Sequence, residues 1–132
     1  MKIQILPLVT GAQKATGLTV IIDVFRAFSL EAYMYASGAK KVIPVKTVED
    51  ALALKKENPS YILVVERKGI KVEGFDYGNS PSEFVGVDLS GKTLIHTTSA
   101  GVLGLASAVN ASQIVTGALV NAKATAKYIL EQ

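Results

Sequence analysis

Short apolar runs alternate along the chain with stretches of helical spacing, and this alternation restricts the fold more than any other feature. Residues 18–22 and 61–65 are continuous apolar runs rich in β-branched side chains, as expected of strands buried on both faces. Residues 27–37 and 47–57 have helical character and end at Gly38 and at Asn58-Pro59. The pattern predicts an α/β fold, a three-layer α/β/α domain with a mostly parallel sheet.

The remaining segments complete this prediction. Further strands are expected at residues 41–45, 93–96 and 113–116. The opening run, residues 2–8, is expected to be an extra edge strand, because Pro7 restricts it to an edge or a strand end. Leu30, Tyr33 and Met34 are expected on one side of the first long helix. Ser80-Pro81 predicts a short helix to residue 84, residues 97–99 cap a helix to residue 109, and Asn121 caps the last. Residues 66–80 are expected to form a long loop.

Composition narrows the class of protein. The 132 residues fit a single domain, 1–132. The absence of cysteine excludes disulfides and thiolate zinc sites, and one histidine excludes a histidine-rich metal cluster. The net charge of +3 comes with dispersed lysines, so no nucleic-acid partner is expected. A hydrophobic fraction of 49% predicts a homo-oligomer that covers apolar surface. Without a signal peptide or a membrane-spanning stretch, we expect a cytoplasmic protein with no membrane partner.

Polar side chains follow the predicted strands where each strand ends. Asp23 and Arg26 follow the first strand, Glu66 and Arg67 follow residues 61–65, and Thr97-Thr98-Ser99 follow residues 93–96. Because the carboxyl ends of parallel strands lie along one edge of a sheet, these groups are expected to share a ligand crevice there.

The chemistry of this set is that of an anion site with a metal ion. Asp23 and Glu66 are hard oxygen donors that suit Mg²⁺, and Arg26 and Arg67 can bind a phosphate or sulfonate. Hydroxyl and backbone N–H groups of residues 97–99 are expected to face the same anion, where Gly101 allows close approach. The preceding loop adds further substrate ligands or a lid, namely Asp76, Asn79 and Ser80.

Each of these motifs also has a simpler explanation when taken alone. Asp23 and Arg26 can pair with each other, Glu66-Arg67 can be a charged strand end, and residues 97–99 a helix cap. Asn79-Ser80-Pro81 resembles an ordinary helix start, Asp76 a turn residue, and His96 a packed strand residue. The functional hypothesis therefore depends on their common edge.

Three segments resemble the 2-phosphosulfolactate phosphatase family. They are residues 23–27 (DVFRA), 66–84 (ERKGIKVEGFDYGNSPSEF) and 97–101 (TTSAG), in this order. Residues 38–53 and 117–122 are also similar in style, so the resemblance spans roughly residues 20–128. The middle segment is the most specific because it is long and unusual in composition.

The resemblance implies a Mg²⁺-dependent phosphatase that hydrolyses 2-phospho-3-sulfolactate, a step towards coenzyme M. By position it carries over the site Asp23, Arg26, Glu66, Arg67, Asp76, Asn79, Ser80, Thr97 and Thr98. Whether Asp23 attacks phosphorus or holds the metal stays open at this point.

The chain departs from the family pattern at Phe25, Phe28 and Val102, and family members are longer. The additional part is expected to carry further strands and acidic residues that help complete the metal site. The alternatives are a fragment, a short member that completes its site by association, and a non-catalytic anion-binding or assembly domain.

Overall fold

The computed structural model describes residues 1–67 and 70–132, and these contain five α-helices, six strands and two short 3₁₀ helices. In chain order the elements are α1 Leu8–Ala12, β1 Gly17–Ile22, α2 Ala27–Ala36, β2 Lys41–Pro44, α3 Val48–Glu57, β3 Ile62–Arg67, β4 Ile70–Lys71, the 3₁₀ helix Pro81–Phe84, β5 Thr93–Thr97, α4 Gly101–Ser107, β6 Ala111–Gly117, the 3₁₀ helix Leu119–Asn121 and α5 Ala122–Leu130.

The strands form two sheets. A four-stranded sheet has the order β2-β5-β3-β4, in which β2, β5 and β3 are parallel and only β4 is antiparallel. A second sheet consists of the parallel pair β1-β6. The predicted α/β class with a mostly parallel arrangement is confirmed.

Helices cover both faces of the four-stranded sheet, as a three-layer α/β/α domain requires. Leu30 and Met34 of α2 pack on one face, against Val64 and Leu94. Ala51 of α3 packs on the other face, in a cluster with Leu63, Val65 and Ile95. Strand side chains alternate between the two faces, so the continuous apolar runs of β3 and β5 supply both cores.

The prediction that the first strand is buried on both faces is wrong. Residues 18–21 of β1 are half-buried, and Ile22 is exposed, because β1 has β6 as its neighbour in a two-stranded sheet and lacks the flanking strands of a central position. Tyr33 is exposed although Leu30 and Met34 of the same helix are buried. An apolar run therefore indicated a strand here without fixing how deeply that strand is buried.

The predicted edge strand at residues 2–8 is also wrong. Residues 1–7 have no regular secondary structure, and Pro7 instead takes the N-cap position of α1 in an extended conformation. A proline is compatible with a helix start because it lacks a backbone N–H, and an N–H at this point would have no partner within the helix.

The loop predicted at residues 66–80 is shorter than expected. β3 continues to Arg67, and β4 pairs with it through Glu66–Lys71 and Arg67–Ile70. The part of the prediction that falls on residues 68 and 69 lies outside the described residues.

The helix boundaries follow the predicted stop and start signals with two differences. The N–H of Asp50 donates to Oγ1 of Thr47 at 3.0 Å, so Thr47 caps α3. In contrast to the prediction that residues 97–99 cap a helix to residue 109, α4 begins at Gly101 after Ala100 and ends at Ser107. Asn121 precedes α5 but uses its Oδ1 to accept from the N–H of Ala118 at 2.8 Å.

Within the described ranges, no helix has both the length and the apolar character needed to cross a bilayer.

Candidate active site

A cleft of about 250 Å³ lies at the carboxyl ends of β1, β3 and β5. It is lined by Asp23, Phe25, Arg26, Glu66, Asn79, Thr98, Ser99 and Ala100. Residues that are up to 77 positions apart in sequence therefore meet here, as the parallel topology predicts. We call this set of residues the cleft.

Asp23 and Arg26 reach the cleft through the turn between β1 and α2. The N–H of Asp23 donates to the carbonyl of Gly117 at 3.1 Å, which extends the β1-β6 ladder by one step. The N–H of Phe28 donates to the carbonyl of Asp23 at 3.3 Å and closes the turn. Arg26 occupies the N-cap position of α2, and its peptide bond with Phe25 is cis. The turn thus places a carboxylate and a guanidinium group at the same end of β1.

The carboxyl group of Asp23 is partly buried, and its protonation reflects this. Desolvation raises the pKa of Asp23 above its ordinary value; a hydrogen bond from the Ala27 backbone lowers it, and the charge of Glu66 raises it. The two carboxylates are thus close enough to interact electrostatically, which is the arrangement that a bound cation would stabilise.

Glu66 is the more deeply buried of the two carboxylates, with 6% of its surface exposed. The hydroxyl of Ser99 donates to Oε1 at 3.2 Å, and the N–H of Ser99 donates to Oε2 at 3.4 Å. Ser99 therefore holds both carboxylate oxygens from the segment that follows β5. This use of the backbone N–H was not expected, because residues 97–99 were predicted to direct such groups at an anion.

Thr98 has a similar internal contact. Its Oγ1 accepts a hydrogen bond from the N–H of Val102 at 3.3 Å, in the first turn of α4. The hydroxyl of Thr98 keeps its own proton available for donation while it accepts from Val102. Thr98 lines the cleft as predicted, but the Val102 N–H at the start of α4 is occupied by the protein itself.

Asn79 enters the cleft beside Glu66. The N–H of Tyr77 donates to the carbonyl of Leu63 at 3.0 Å, and the N–H of Val65 donates to the carbonyl of Tyr77 at 3.1 Å, so this segment runs parallel to β3. Asn79 is 8% exposed, and its Oδ1 atom has no hydrogen-bond partner among the described residues. Because an amide oxygen only accepts hydrogen bonds or binds cations, Asn79 brings a buried, unsatisfied acceptor to the wall of the cleft.

Arg67 and Thr97 were predicted to join this site, but the structure places their side chains together elsewhere. Nη2 of Arg67 donates to Oγ1 of Thr97 at 2.8 Å, and neither residue lines the cleft. Successive residues of a strand point to opposite faces, so Arg67 and Thr97 point away from the face that carries Glu66 and Thr98.

The structure also places three other predicted ligands differently. Asp76 accepts from the N–H of Leu63 at 2.8 Å, near the amino end of β3 and thus at the end remote from the cleft. The Ser80 hydroxyl lies 2.8 Å from the hydroxyl of Ser82. Gly101 packs on Asp23 and Ala27 and gives no open backbone to a ligand. None of the three lines the cleft.

Sequence reasoning missed two residues that line the cleft, Phe25 and Ala100. Phe25 is 90% exposed, and its place within the DVFRA segment was the available signal.

His96 was interpreted as a packed residue, and it is indeed buried, with 2% of its surface exposed. Desolvation lowers the pKa of His96 to about 4, although the charge of Glu66 acts to raise it. The Nε2 atom of His96 has no hydrogen-bond partner within the described part of the chain.

The fold and the cleft define an α/β domain whose polar site lies at the carboxyl edge of parallel strands and combines two carboxylates, an arginine, an amide and hydroxyl groups. The family model described as 2-phosphosulpholactate phosphatase matches residues 5–132. The chain belongs to this family.

Curated relatives agree with this assignment. A protein of Bacillus subtilis named probable 2-phosphosulfolactate phosphatase is 38% identical to this chain, and the match covers 85% of this chain and 49% of the relative. A protein of the same name in Carboxydothermus hydrogenoformans is 46% identical, over 85% of this chain and 46% of the relative. A relative of the same name in Clostridium tetani is 44% identical over 84% of this chain and 48% of its own length. The chain spans about half the length of these curated relatives.

Proposed function

We propose that this domain is a Mg²⁺-dependent phosphatase that hydrolyses a small phosphate ester, such as 2-phospho-3-sulfolactate, to 3-sulfolactate and phosphate. The observation that carries the proposal is the convergence of Asp23, Glu66, Asn79 and Arg26 in one cleft. The Oδ1 atom of this Asn79 has no hydrogen-bond partner among the described residues. The names of the relatives support the reaction class.

The donor set suits Mg²⁺ better than a transition metal. Residues 1–67 and 70–132 contain no group of three or more histidine, cysteine or acidic side chains arranged to hold a metal. Mg²⁺ needs only one or two carboxylates, because waters and substrate oxygens fill its remaining positions. Asp23 and Glu66 would be these carboxylates, and Oδ1 of Asn79 would contribute an uncharged oxygen, directly or through a water.

An anion alone is a poorer occupant of this cleft. Asp23 and Glu66 would repel a phosphate group, and the Asn79 acceptor would gain nothing from it. A bound magnesium ion would neutralise charge on the phosphoryl oxygens and lower the pKa of a bound water. The proposal therefore joins a cation and an anion in one site.

The side chains of the cleft have separate roles in this proposal. Arg26 would bind phosphate oxygens with paired N–H donors and stabilise the charge that develops during transfer. The hydroxyl of Thr98 would donate to the same anion. Ser99 would hold Glu66 in place through its two hydrogen bonds. Asp23 must be ionised either to attack phosphorus or to bind the metal.

The proposal is tested by measuring phosphate release from a panel of small phosphate esters that includes 2-phospho-3-sulfolactate, with and without Mg²⁺. We expect Mg²⁺-dependent release that Asp23→Asn abolishes. Asp50→Asn, on the exposed first turn of α3, is the matched control and leaves the rate unchanged. A folded wild-type protein that is inactive against the whole panel would contradict the proposal.

A second measurement separates catalysis from simple anion binding. If sulfate or phosphate stabilises the protein against heat while no substrate is hydrolysed, the non-catalytic alternative is favoured. Isothermal titration with Mg²⁺ tests the donor set directly: we expect weaker binding in Asn79→Leu, which removes the acceptor. Unchanged Mg²⁺ affinity in this variant would exclude Asn79 from the metal site.

Three wider expectations stay predictions. These are the role in coenzyme M synthesis, the cytoplasmic location and the homo-oligomeric state. Sedimentation equilibrium of the purified chain tests the last of them.

A further inference from the structure

We infer that Arg67 is a positioning residue, which acts behind the cleft by joining the ends of three parallel strands. Its effect on catalysis rests on the function proposed above, whereas its effect on the strand ends does not. We call Arg67 with its three acceptor groups the strand-end clamp.

The clamp is defined by the hydrogen bonds of one guanidinium group. Nη1 donates to the carbonyl of Glu66 in β3 at 2.7 Å, and Nη2 donates to Oγ1 of Thr97 in β5 at 2.8 Å. Nη2 also lies 3.4 Å from the carbonyl of Lys46, which follows β2. β2, β5 and β3 are neighbours in the sheet, so a single side chain spans their carboxyl ends.

The clamp and the cleft use neighbouring residues at the carboxyl ends of β3 and β5. Glu66 precedes Arg67 in β3, and Thr98 and Ser99 follow Thr97 after β5. Val64 pairs with His96 and Val65 with Thr97, and Glu66 and Thr98 are the residues that follow this last pair. By holding Arg67 to Thr97, the clamp fixes the spacing between Glu66 and the segment after β5 that carries Ser99.

This role requires arginine and differs from an anion-binding role. A guanidinium group presents several donors in one plane, and a lysine ammonium group cannot reproduce that fork. Thr97 is fully buried, so loss of the Arg67 donor would leave a polar atom poorly satisfied. Groups that orient the ligands of a site typically change affinity or activity by about 10- to 100-fold when they are removed.

The clamp itself is tested without any activity measurement, by a double-mutant cycle on urea unfolding. Arg67→Gln and Thr97→Val each raise the unfolding equilibrium constant. The factor by which the double variant raises this constant should be at least about twofold smaller than the product of the two single-variant factors. Lys46→Ala is the matched control and changes nothing, because the clamp uses only the carbonyl of Lys46. Additive effects of Arg67 and Thr97 would overturn the clamp.

The positioning role is tested by comparing Arg67 with Arg26, which lines the cleft. We expect Arg67→Lys and Arg67→Gln to lower kcat by about 10- to 100-fold with KM and sulfate affinity unchanged. Arg26→Gln should weaken sulfate binding instead. If Arg67→Gln weakens sulfate binding as much as Arg26→Gln, or leaves kcat unchanged, the positioning role is wrong. If the wild-type chain hydrolyses nothing, the proposed function fails, while the unfolding and sulfate measurements still decide the role of Arg67.

Discussion

Gly101 lies so close to the carboxylate of Asp23 that this position has no room for a side chain. A Cβ atom built on Gly101 would lie 2.8 Å from Oδ2 of Asp23 and 2.7 Å from Cβ of Ala27. Gly101 begins α4, and Ala27 begins α2. The start of one helix therefore packs directly on the start of the other, with the Asp23 carboxylate between them and the cleft.

Gly101→Ala should disturb this contact. The added methyl group must displace Oδ2 of Asp23 and Cβ of Ala27, and overpacking of this kind costs about 1–3 kcal/mol. We expect a lower urea midpoint and weaker Mg²⁺ binding. Gly104→Ala in the same helix is the control, because its Cβ would meet only the Cγ2 end of Ile21, at 3.1 Å. Equal effects of the two substitutions would contradict the special closeness of Gly101 and Asp23.

Asp23 should make stability depend on pH in a direction opposite to that of most acidic residues. Because its pKa is raised in the folded state, the native protein holds this proton more tightly than the unfolded chain. Stability due to Asp23 is thus lost as pH rises from about 3.8 through the raised pKa. Without Mg²⁺, Asp23→Asn should unfold at higher urea than wild type at pH 7, and the difference should shrink on acidification. A less stable Asp23→Asn protein at pH 7 would contradict this reading.

His96 should have the opposite effect on acid stability. It stays neutral in the folded state down to pH about 4, whereas it takes up a proton near pH 6.5 in the unfolded chain. Stability is therefore lost as pH falls from 6.5 to about 4, by at most about 3 kcal/mol. His96→Leu should remove this part of the slope in urea unfolding at several pH values. An unchanged slope would show that His96 does not titrate as its burial requires.

Asp76 should contribute to stability and not to substrate binding. Asp76→Ala leaves the N–H of Leu63 without its acceptor inside a buried strand, which costs about 1–3 kcal/mol. Asp76→Asn keeps an acceptor oxygen and should cost less. KM should be unchanged in both variants. A raised KM with unaltered stability would restore Asp76 to the substrate site predicted from sequence.

The edge at which the polar residues meet could be predicted because it depends only on strand order and direction. Apolar runs identified β3 and β5, and parallel pairing then brings Glu66 and Thr98 to one end. The resemblance of three segments to one family also pointed to the correct family. Both inferences use information that is local in sequence.

The faces of the side chains could not be predicted in the same way. The run of apolar residues ends at Val65, so the sequence pattern predicted that Glu66 and Arg67 lie beyond the strand, where both side chains could point into the crevice. β3 in fact continues to Arg67, and its alternation separates the two side chains. The place of Asp76 depends on pairing between its segment and β3, a long-range contact that no local pattern encodes.

Asp23 and Glu66 are carried by different sheets, since β1 pairs with β6 and β3 lies beside β5; among the residues described, no backbone ladder connects the two sheets. The gap between the two acids is accordingly determined by how α2 and α4 rest on each other, around Ala27 and Gly101. Ladder spacing is fixed by the geometry of the peptide, whereas helix contacts shift with the volume of a few apolar side chains. The separation of the two carboxylates can thus change through apolar substitutions around Ala27 and Gly101, with every polar residue of the cleft retained.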